Sequence, residues 1–300
     1  MCLCPSKSFG GGDTDMLAIV GTVPNKSFPL TEGIAKYKNK KIYIKDKNVF
    51  VERGVGALIA ASLKVKEVLD KFEAYAFLIG DIGTGEGSKV LYEHVAKKIS
   101  EMNFKCVVFH YIQPDIDLHY KVLFSIQKAK PRPKVVADAG FMYVAKMSGE
   151  AEEYDLFTPD KGELAFLADE DAPHPFYTRG FILGNNHIPS LIQRAYKHKN
   201  ASKFLLVKGD VDYVASKQGI LYTIDSPKHE AMEAIGGTGD TLTGLVSALI
   251  ASGLSEEKSC VLAAKANRIA GFLANPTPAT QISDIILHIP KAIKESIKIN

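Results

Sequence analysis

Residues 16–20, Met-Leu-Ala-Ile-Val, form the first short apolar run, of strand length and ended by Gly21. Residues 41–45 and 49–51 are β-rich and flank Asp46-Lys47-Asn48, which predicts a hairpin. Further apolar runs at 75–79, 106–109, 134–137, 154–157 and 204–207 each have the length of a buried strand. The segments between them carry helical spacing. Val90, Leu91, His94, Val95, Lys98 and Ile99 fall on neighbouring turns, as do Leu191, Ile192, Ala195 and Tyr196. Strands alternating with helices in this way predict a doubly wound α/β fold, with a mostly parallel sheet and right-handed crossovers. Residues 213–215 and 219–224 read as a second hairpin, 241–252 and 256–274 as two buried helices, and 283–289 with the Lys-rich end as a third. No internal repeat and no long linker divides the chain, so the expectation is one domain over 16–300 behind a flexible tail over 1–15, which carries Gly10-Gly11-Gly12.

Composition narrows the partners. The 300 residues are 46% hydrophobic and 24% charged, enough apolar mass for a large core. The 37 basic and 34 acidic residues are mixed along the chain, and no stretch gathers the net charge of +3 into a phosphate-binding stripe, which disfavours nucleic acid. Cys2 and Cys4 lie in the tail and Cys106 and Cys260 in apolar surroundings, which suits neither a disulfide framework nor a four-cysteine zinc site. Absence of an apolar run long enough to span a bilayer, and of a signal-like segment in the first fifteen residues, predicts a cytoplasmic protein without a membrane partner. A small molecule is the expected ligand, and the formation of a homo-oligomer is left open.

The chemistry concentrates at Gly236-Gly237-Thr238-Gly239-Asp240, directly before the apolar helix that starts at Thr241. The first amides of a helix lack intrahelical partners and carry the positive end of its dipole, and glycines let an anion approach the backbone. A phosphate fits there. Asp240 then stands beside it, placed to take a proton from an attacking hydroxyl. The bland alternative is a helix start capped by Asp240 alone, which needs one oxygen rather than four flanking small residues.

Residues 234–244, Ala-Ile-Gly-Gly-Thr-Gly-Asp-Thr-Leu-Thr-Gly, resemble the signature of ribokinase-like enzymes, and specifically of the nucleotide-dependent NAD(P)H-hydrate dehydratases, relatives of carbohydrate kinases. Four further segments resemble that family in its order. They are Gly80-Asp81-Ile82-Gly83-Thr84-Gly85, the strand end at Asp138-Ala139, Thr158-Pro159-Asp160-Lys161-Gly162-Glu163, and Lys208-Gly209-Asp210-Val211-Asp212. The resemblance implies a three-layer ribokinase-like fold that uses ATP or ADP with Mg2+. It implies Asp240 as catalytic base and Gly236, Gly237, Thr238 and Gly239 as the phosphate turn. Lys208, Gly209, Asp210, Val211 and Asp212 would form the nucleotide strand end. Gly83, Gly85, Asp138, Asp160 and Glu163, again with Asp240, would lie on the substrate side, and no residue is assigned firmly to metal. Capping remains an alternative for Asp138 and Glu163, a solvated strand end for Lys208, and a satisfied or surface side chain for Asn267; His229 is assigned nothing.

The chain also departs from the pattern. Asp160 and Lys161 stand where the family has His and Pro, and residues 228–234 replace its Asn-Pro-Gly-Met-Ala. Asp210 and Asp212 would repel phosphates unless turned away or bridged by a metal; the expectation is solvent for Asp210 and the cleft for Asp212. The phosphate machinery therefore matches better than the acceptor side. The leading expectation is an ADP/ATP-dependent hydro-lyase acting on hydrated NADH or NADPH. The runner-up is a kinase of a small hydroxylated metabolite, which would gain if the 41–51 hairpin covered the cleft as a lid. A nucleotide sensor without turnover is third.

Overall fold

The structure is a computed structural model that describes residues 15–174 and 187–298. The expected tail lies outside them except for Asp15, which already belongs to the first strand. In chain order the elements begin with β1 (Asp15–Val23), β2 (Thr31–Lys38), β3 (Lys41–Ile44), β4 (Lys47–Phe50), α1 (Val55–Leu69), β5 (Phe72–Gly80) and α2 (Glu86–Lys98). They continue with β6 (Cys106–His110), α3 (Ile116–Lys128), β7 (Lys134–Ala137), α4 (Phe141–Met147), β8 (Leu156–Phe157), α5 (Lys161–Ala168) and α6 (Ile188–Lys197). The chain then forms β9 (Phe204–Val207), β10 (Asp212–Ser216), β11 (Gly219–Ile224), α7 (Thr238–Ala251), α8 (Glu256–Ala274), α9 (Ile282–Ile286) and α10 (Ile289–Lys298).

All the described strands form one sheet in the order β11-β10-β9-β8-β7-β6-β1-β5-β2-β3-β4. From β9 through β5 the neighbours are parallel, and antiparallel strands extend the sheet at both edges. Alternate residues of the central strands feed two cores. Leu17 and Ile19 of β1 face the layer of α1, α7, α8, α9 and α10, whereas Ala18 and Val20 face the layer of α2 to α6. This is the expected doubly wound α/β architecture, and it sends the C-terminal ends of six parallel strands to one edge of the molecule.

Gly21 does not end β1, which runs to Val23. It marks a close approach instead, since a Cβ there would sit 2.9 Å from both the His110 carbonyl oxygen and a Val55 methyl. The 283–289 helix and the Lys-rich end are two helices, not one, because Pro290 falls in the first turn of α10, where its missing N–H costs nothing. The β3–β4 hairpin forms as expected, but Ile42, Ile44 and Val49 are buried in the core beneath α1, so it extends the sheet edge.

Candidate active site

α7 is buried along its whole length after the first two residues, and its packing fixes where its N-terminus points. Gly244 meets α1 so closely that a Cβ would lie 2.3 Å from the Leu58 carbonyl oxygen, and the Ser62 hydroxyl donates to the Gly244 carbonyl at 2.9 Å. This contact brings Gly54, immediately before α1, to the first turn of α7, where its N–H donates to Asp240 Oδ2 at 2.6 Å. Gly237 precedes the helix with φ of 101°, a left-handed conformation suited to glycine, and no side chain caps the end. The Thr241 N–H is the first to bond back into the helix, to the Gly237 carbonyl, so the amides of Thr238, Gly239 and Asp240 are left for a ligand. Asp240 is therefore not the cap. Its Oδ1 lies 2.9 Å from Nε2 of His110, the last residue of β6. Burial by itself would raise the Asp240 carboxyl, but the His110 hydrogen bond, the Lys208 ammonium and the Gly54 N–H bring it below the usual carboxylate range.

The neighbouring strand ends form a network. Asp138, just after β7, accepts from Lys208 Nζ at 2.8 Å and from the Ala139 N–H at 2.9 Å on Oδ1, and from the Thr243 hydroxyl at 2.7 Å on Oδ2. The Thr158 hydroxyl adjoins Thr243 at 3.0 Å. Burial would favour neutral Lys208, yet the carboxylates of Asp138 and Glu163 more than offset it and keep the ammonium charged. His110, Asp138 and Asp240 each offer one ligand atom within 4.8 Å of the others, a spacing that could hold a metal ion. The Lys208 ammonium against Asp138 and the His110–Asp240 contact already satisfy those atoms.

These groups open onto a cavity of about 520 Å³. Asp138, Asp160, Glu163, Lys208 and Asp240 line it, with Gly209 just past β9 and Gly237, Thr238 and Gly239 at the phosphate turn. Asp210, Asp212, Asn267 and Arg268 also line it, together with His229 in the 227–233 segment. The structure does not bring Gly236, Val211, Gly83 or Gly85 to this lining. Gly83 and Gly85 instead donate their N–H groups to Asp81 Oδ1 at 2.9 and 3.1 Å, in a turn that starts α2. Glu163 and Asp160 make a reciprocal capping box at the start of α5, so the capping alternative holds for Glu163 while its carboxyl still reaches the cavity. Burial there, with the charges of Asp138 and Asp160, holds Glu163 well above the ordinary carboxyl range against the pull of Lys208. Lys208 is not a free point charge for phosphate, because Asp138 holds it.

The two acidic departures are also neutralised within the protein. Asp212 is buried and accepts from Arg268 Nε at 2.8 Å and from the Gly209 N–H at 3.1 Å; exposed Asp210 pairs with Lys228. Arginine and lysine, rather than a metal, offset their charge. Asn267 links α8 to the first turn of α7 by accepting from the Thr241 hydroxyl at 2.8 Å and donating to the Thr238 carbonyl at 3.2 Å. Sequence reasoning missed His110, Gly54, Arg268 and Tyr111. His110 had the same signal as Asp138, a polar residue closing an apolar strand, whereas Gly54 had none. No residue of the 41–51 hairpin lines the cavity, so the kinase reading does not gain the lid that would have favoured it.

A sequence profile described as NAD(P)H-hydrate dehydratase matches residues 117–291. An uncharacterized protein of Methanocaldococcus jannaschii is 44% identical over 243 residues, which cover 80% of this chain and 100% of that one. A bifunctional NAD(P)H-hydrate repair enzyme of Dictyoglomus turgidum is 26% identical over 197 residues, 62% of this chain; the match spans only 35% of that longer protein. Among solved structures, the ADP/ATP-dependent NAD(P)H-hydrate dehydratase of Bacillus subtilis, co-crystallized with ATP and Mg2+, superposes with a TM-score of 0.55 at 16% identity over 97% of this chain and 94% of that one. That likeness shows the ribokinase-like fold.

Proposed function

The chain belongs to the NAD(P)H-hydrate dehydratase family, a family of hydro-lyases, and on that premise we propose that it uses ADP or ATP to restore NADH or NADPH damaged by hydration of the nicotinamide ring, a metabolite repair reaction. The observation that carries this reading is the Asp240 carboxylate, held by His110 and Gly54 beside the uncapped first turn of α7. In the proposed reaction Asp240 takes the proton of the ring hydroxyl, and that oxygen attacks the terminal phosphorus of the nucleotide, breaking its bond to the bridging oxygen so that ATP leaves as ADP, or ADP as AMP. The amides of Thr238, Gly239 and Asp240 hold the phosphoryl oxygens as charge develops. The transferred phosphate then leaves with the former hydroxyl oxygen, and a proton lost from the adjacent ring carbon restores the double bond.

Residues 16–300 act in this reading as one catalytic domain, in the cytoplasm, and no described helix is long and apolar enough to cross a membrane. The donors also suit magnesium. Asp160 and Glu163 bring carboxylates to the cavity beside Asp138; burial first, and then the charges of Asp138 and Asp160, hold the Glu163 carboxyl high, and a divalent cation relieves that cost. Those two residues would hold the ion, which would neutralise nucleotide phosphate charge when bound.

The test offers purified protein chemically hydrated NADH with ADP or ATP and follows the absorbance of the restored nicotinamide. Asp240→Asn should abolish turnover and leave nucleotide affinity within about threefold, since the amide keeps the shape but cannot take the proton. Retention of more than about a tenth of the wild-type rate would remove Asp240 as the base. Phosphorylation of a small alcohol without nicotinamide restoration would replace the lyase by a kinase.

A further inference from the structure

His110 is fully buried, and its two ring nitrogens have opposite surroundings. Nε2 faces two carboxylate oxygens, Asp240 Oδ1 at 2.9 Å and Asp138 Oδ2 at 3.5 Å. Nδ1 is buried without a hydrogen-bond partner. The other groups that bear on the ring are few. Tyr111 stands edge-on, with ring centroids 4.2 Å apart, and the Lys208 ammonium from the end of β9 is engaged by the far oxygen of Asp138. An ionised carboxylate can only accept, so the nitrogen between two of them must carry hydrogen. A second hydrogen, on Nδ1, would be a buried donor with nothing to meet.

We propose that His110 is a positioning residue, which in its neutral form protonated on Nε2 fixes Oδ1 of Asp240 and leaves Oδ2 as the oxygen that takes the substrate proton. The proposal rests on the reading of Asp240 as the base. Oδ2 receives one hydrogen bond, from the Gly54 N–H at 2.6 Å, and so retains a lone pair for that proton. With both oxygens anchored from different elements, β6 and the start of α1, the carboxylate cannot rotate about its last bond without losing both contacts. The same His110 contact leads the influences that draw the Asp240 carboxyl down against its burial. Asp240 must be ionised to act, so loss of the donor moves the acid limb of the rate profile to higher pH. Asp138, Lys208 and Tyr111 remain in place and do not supply a replacement donor to Oδ1.

The experiment compares the wild type with His110→Phe, which keeps a ring without a donor, and His110→Gln, whose amide nitrogen reaches about where Nε2 stood. For His110→Phe we expect kcat to fall about 100-fold with nucleotide Kd within about threefold, and the acid limb of kcat/KM to rise by about one pH unit. His110→Gln should return kcat to within about tenfold of wild type with the limb in its original place. Nitrogen NMR of histidine-labelled protein, with His110 assigned by its loss in His110→Gln, should show a protonated Nε2 and a bare Nδ1 under the conditions of the activity assay. A bare Nε2, or an imidazolium under those conditions, overturns the proposal. So does full activity in His110→Phe, or an equal loss in both variants with an unmoved acid limb, the outcome of a merely structural role. If His110→Phe does not fold, the glutamine variant and the NMR decide. If the wild type does not turn over hydrated NADH, the functional reading fails by itself, while the protonation state still tests His110.

Discussion

Replacing Gly244 by alanine tests whether helix packing places the base. Gly244 lies one turn beyond Asp240 on α7, and a Cβ there would stand 2.3 Å from the Leu58 carbonyl oxygen, 3.0 Å from its carbon and 3.1 Å from Ala61 Cβ. A carbon can approach a carbonyl oxygen to about 3.3 Å, so α1 must retreat by roughly 1 Å. The nearest obstacle is backbone, and no side-chain rotation relieves it. Overpacking of this kind costs about 1–3 kcal/mol, and a chain of this size should lose on the order of 5 °C in Tm. The same retreat stretches the 2.6 Å contact between Gly54 N–H and Asp240 Oδ2 beyond hydrogen-bond length. A base misplaced by about 1 Å should lose roughly 100-fold in kcat, whereas nucleotide affinity, which draws on the first turn of α7, should change far less. Thermal melting and steady-state kinetics on one preparation read both effects. Wild-type Tm and kcat in Gly244→Ala would refute the packing argument. A lowered Tm with unchanged kcat would refute the link from Gly54 to the base.

Gly239→Ala should fold normally, because the added Cβ meets Lys208 no closer than 3.5 Å, yet weaken nucleotide binding and turnover together by crowding the phosphate; unchanged binding by calorimetry would place the anion elsewhere. Magnesium titrations of nucleotide binding should share one midpoint for wild type, Asp210→Ala and Asp212→Ala, since Lys228 and Arg268 already neutralise these carboxylates, and a displaced midpoint would restore a metal role for this strand end. Burial lowers His119 to about 4, far below its unfolded value, so the folded chain resists a proton that the unfolded chain takes up. Stability present above about pH 6.5 is therefore lost as pH falls toward 4, by about 3 kcal/mol. His119→Gln keeps a partner for the Tyr154 hydroxyl and should flatten Tm against pH across that window; an unchanged slope would rule out His119 as the source.

The parallel core was legible because its strands are buried on both faces. Runs such as 106–109 and 204–207 have no alternation to confuse them with half-exposed strands, and their ends were placed to within a residue. β2 was missed for the opposite reason. Its alternating Thr31, Gly33 and Ala35 are small or polar, and they bury through pairing with β5 (Thr31, Gly33) and β3 (Ala35) rather than through bulk. α1 was missed because it is apolar almost all round, buried between the sheet and α7, and shows little of the one-sided pattern that marks a surface helix. Lys208 illustrates a further limit. Its position at a strand end was readable, but its commitment to Asp138, 70 residues away, depends on two strands that neither residue's neighbours reveal.

The site obeys a simple rule, which also shows where such reading stops. Five of the six parallel strands carry a polar side chain at or just past their C-terminal end, where it emerges at the ligand-binding edge: Asp81, His110, Asp138, Thr158 and Lys208. Applied evenly, the rule finds His110 along with Asp138. What it cannot find is the division of labour among them. Asp81 spends its carboxylate on the amides of Gly83, Gly85 and Ser88, and Asp138 on Lys208, Ala139 and Thr243. Asp240 comes from a helix rather than a strand end, and its partners Gly54 and His110 lie 186 and 130 residues away. Among these three carboxylates, each with both oxygens engaged, Asp240 has the fewest donors and stands beside the uncapped helix end. A carboxylate already saturated by donors is a poor proton acceptor, and one with a lone pair to spare beside a phosphate site is a good one. The choice of base thus follows from counting hydrogen bonds across the fold, a count that no local stretch of sequence contains.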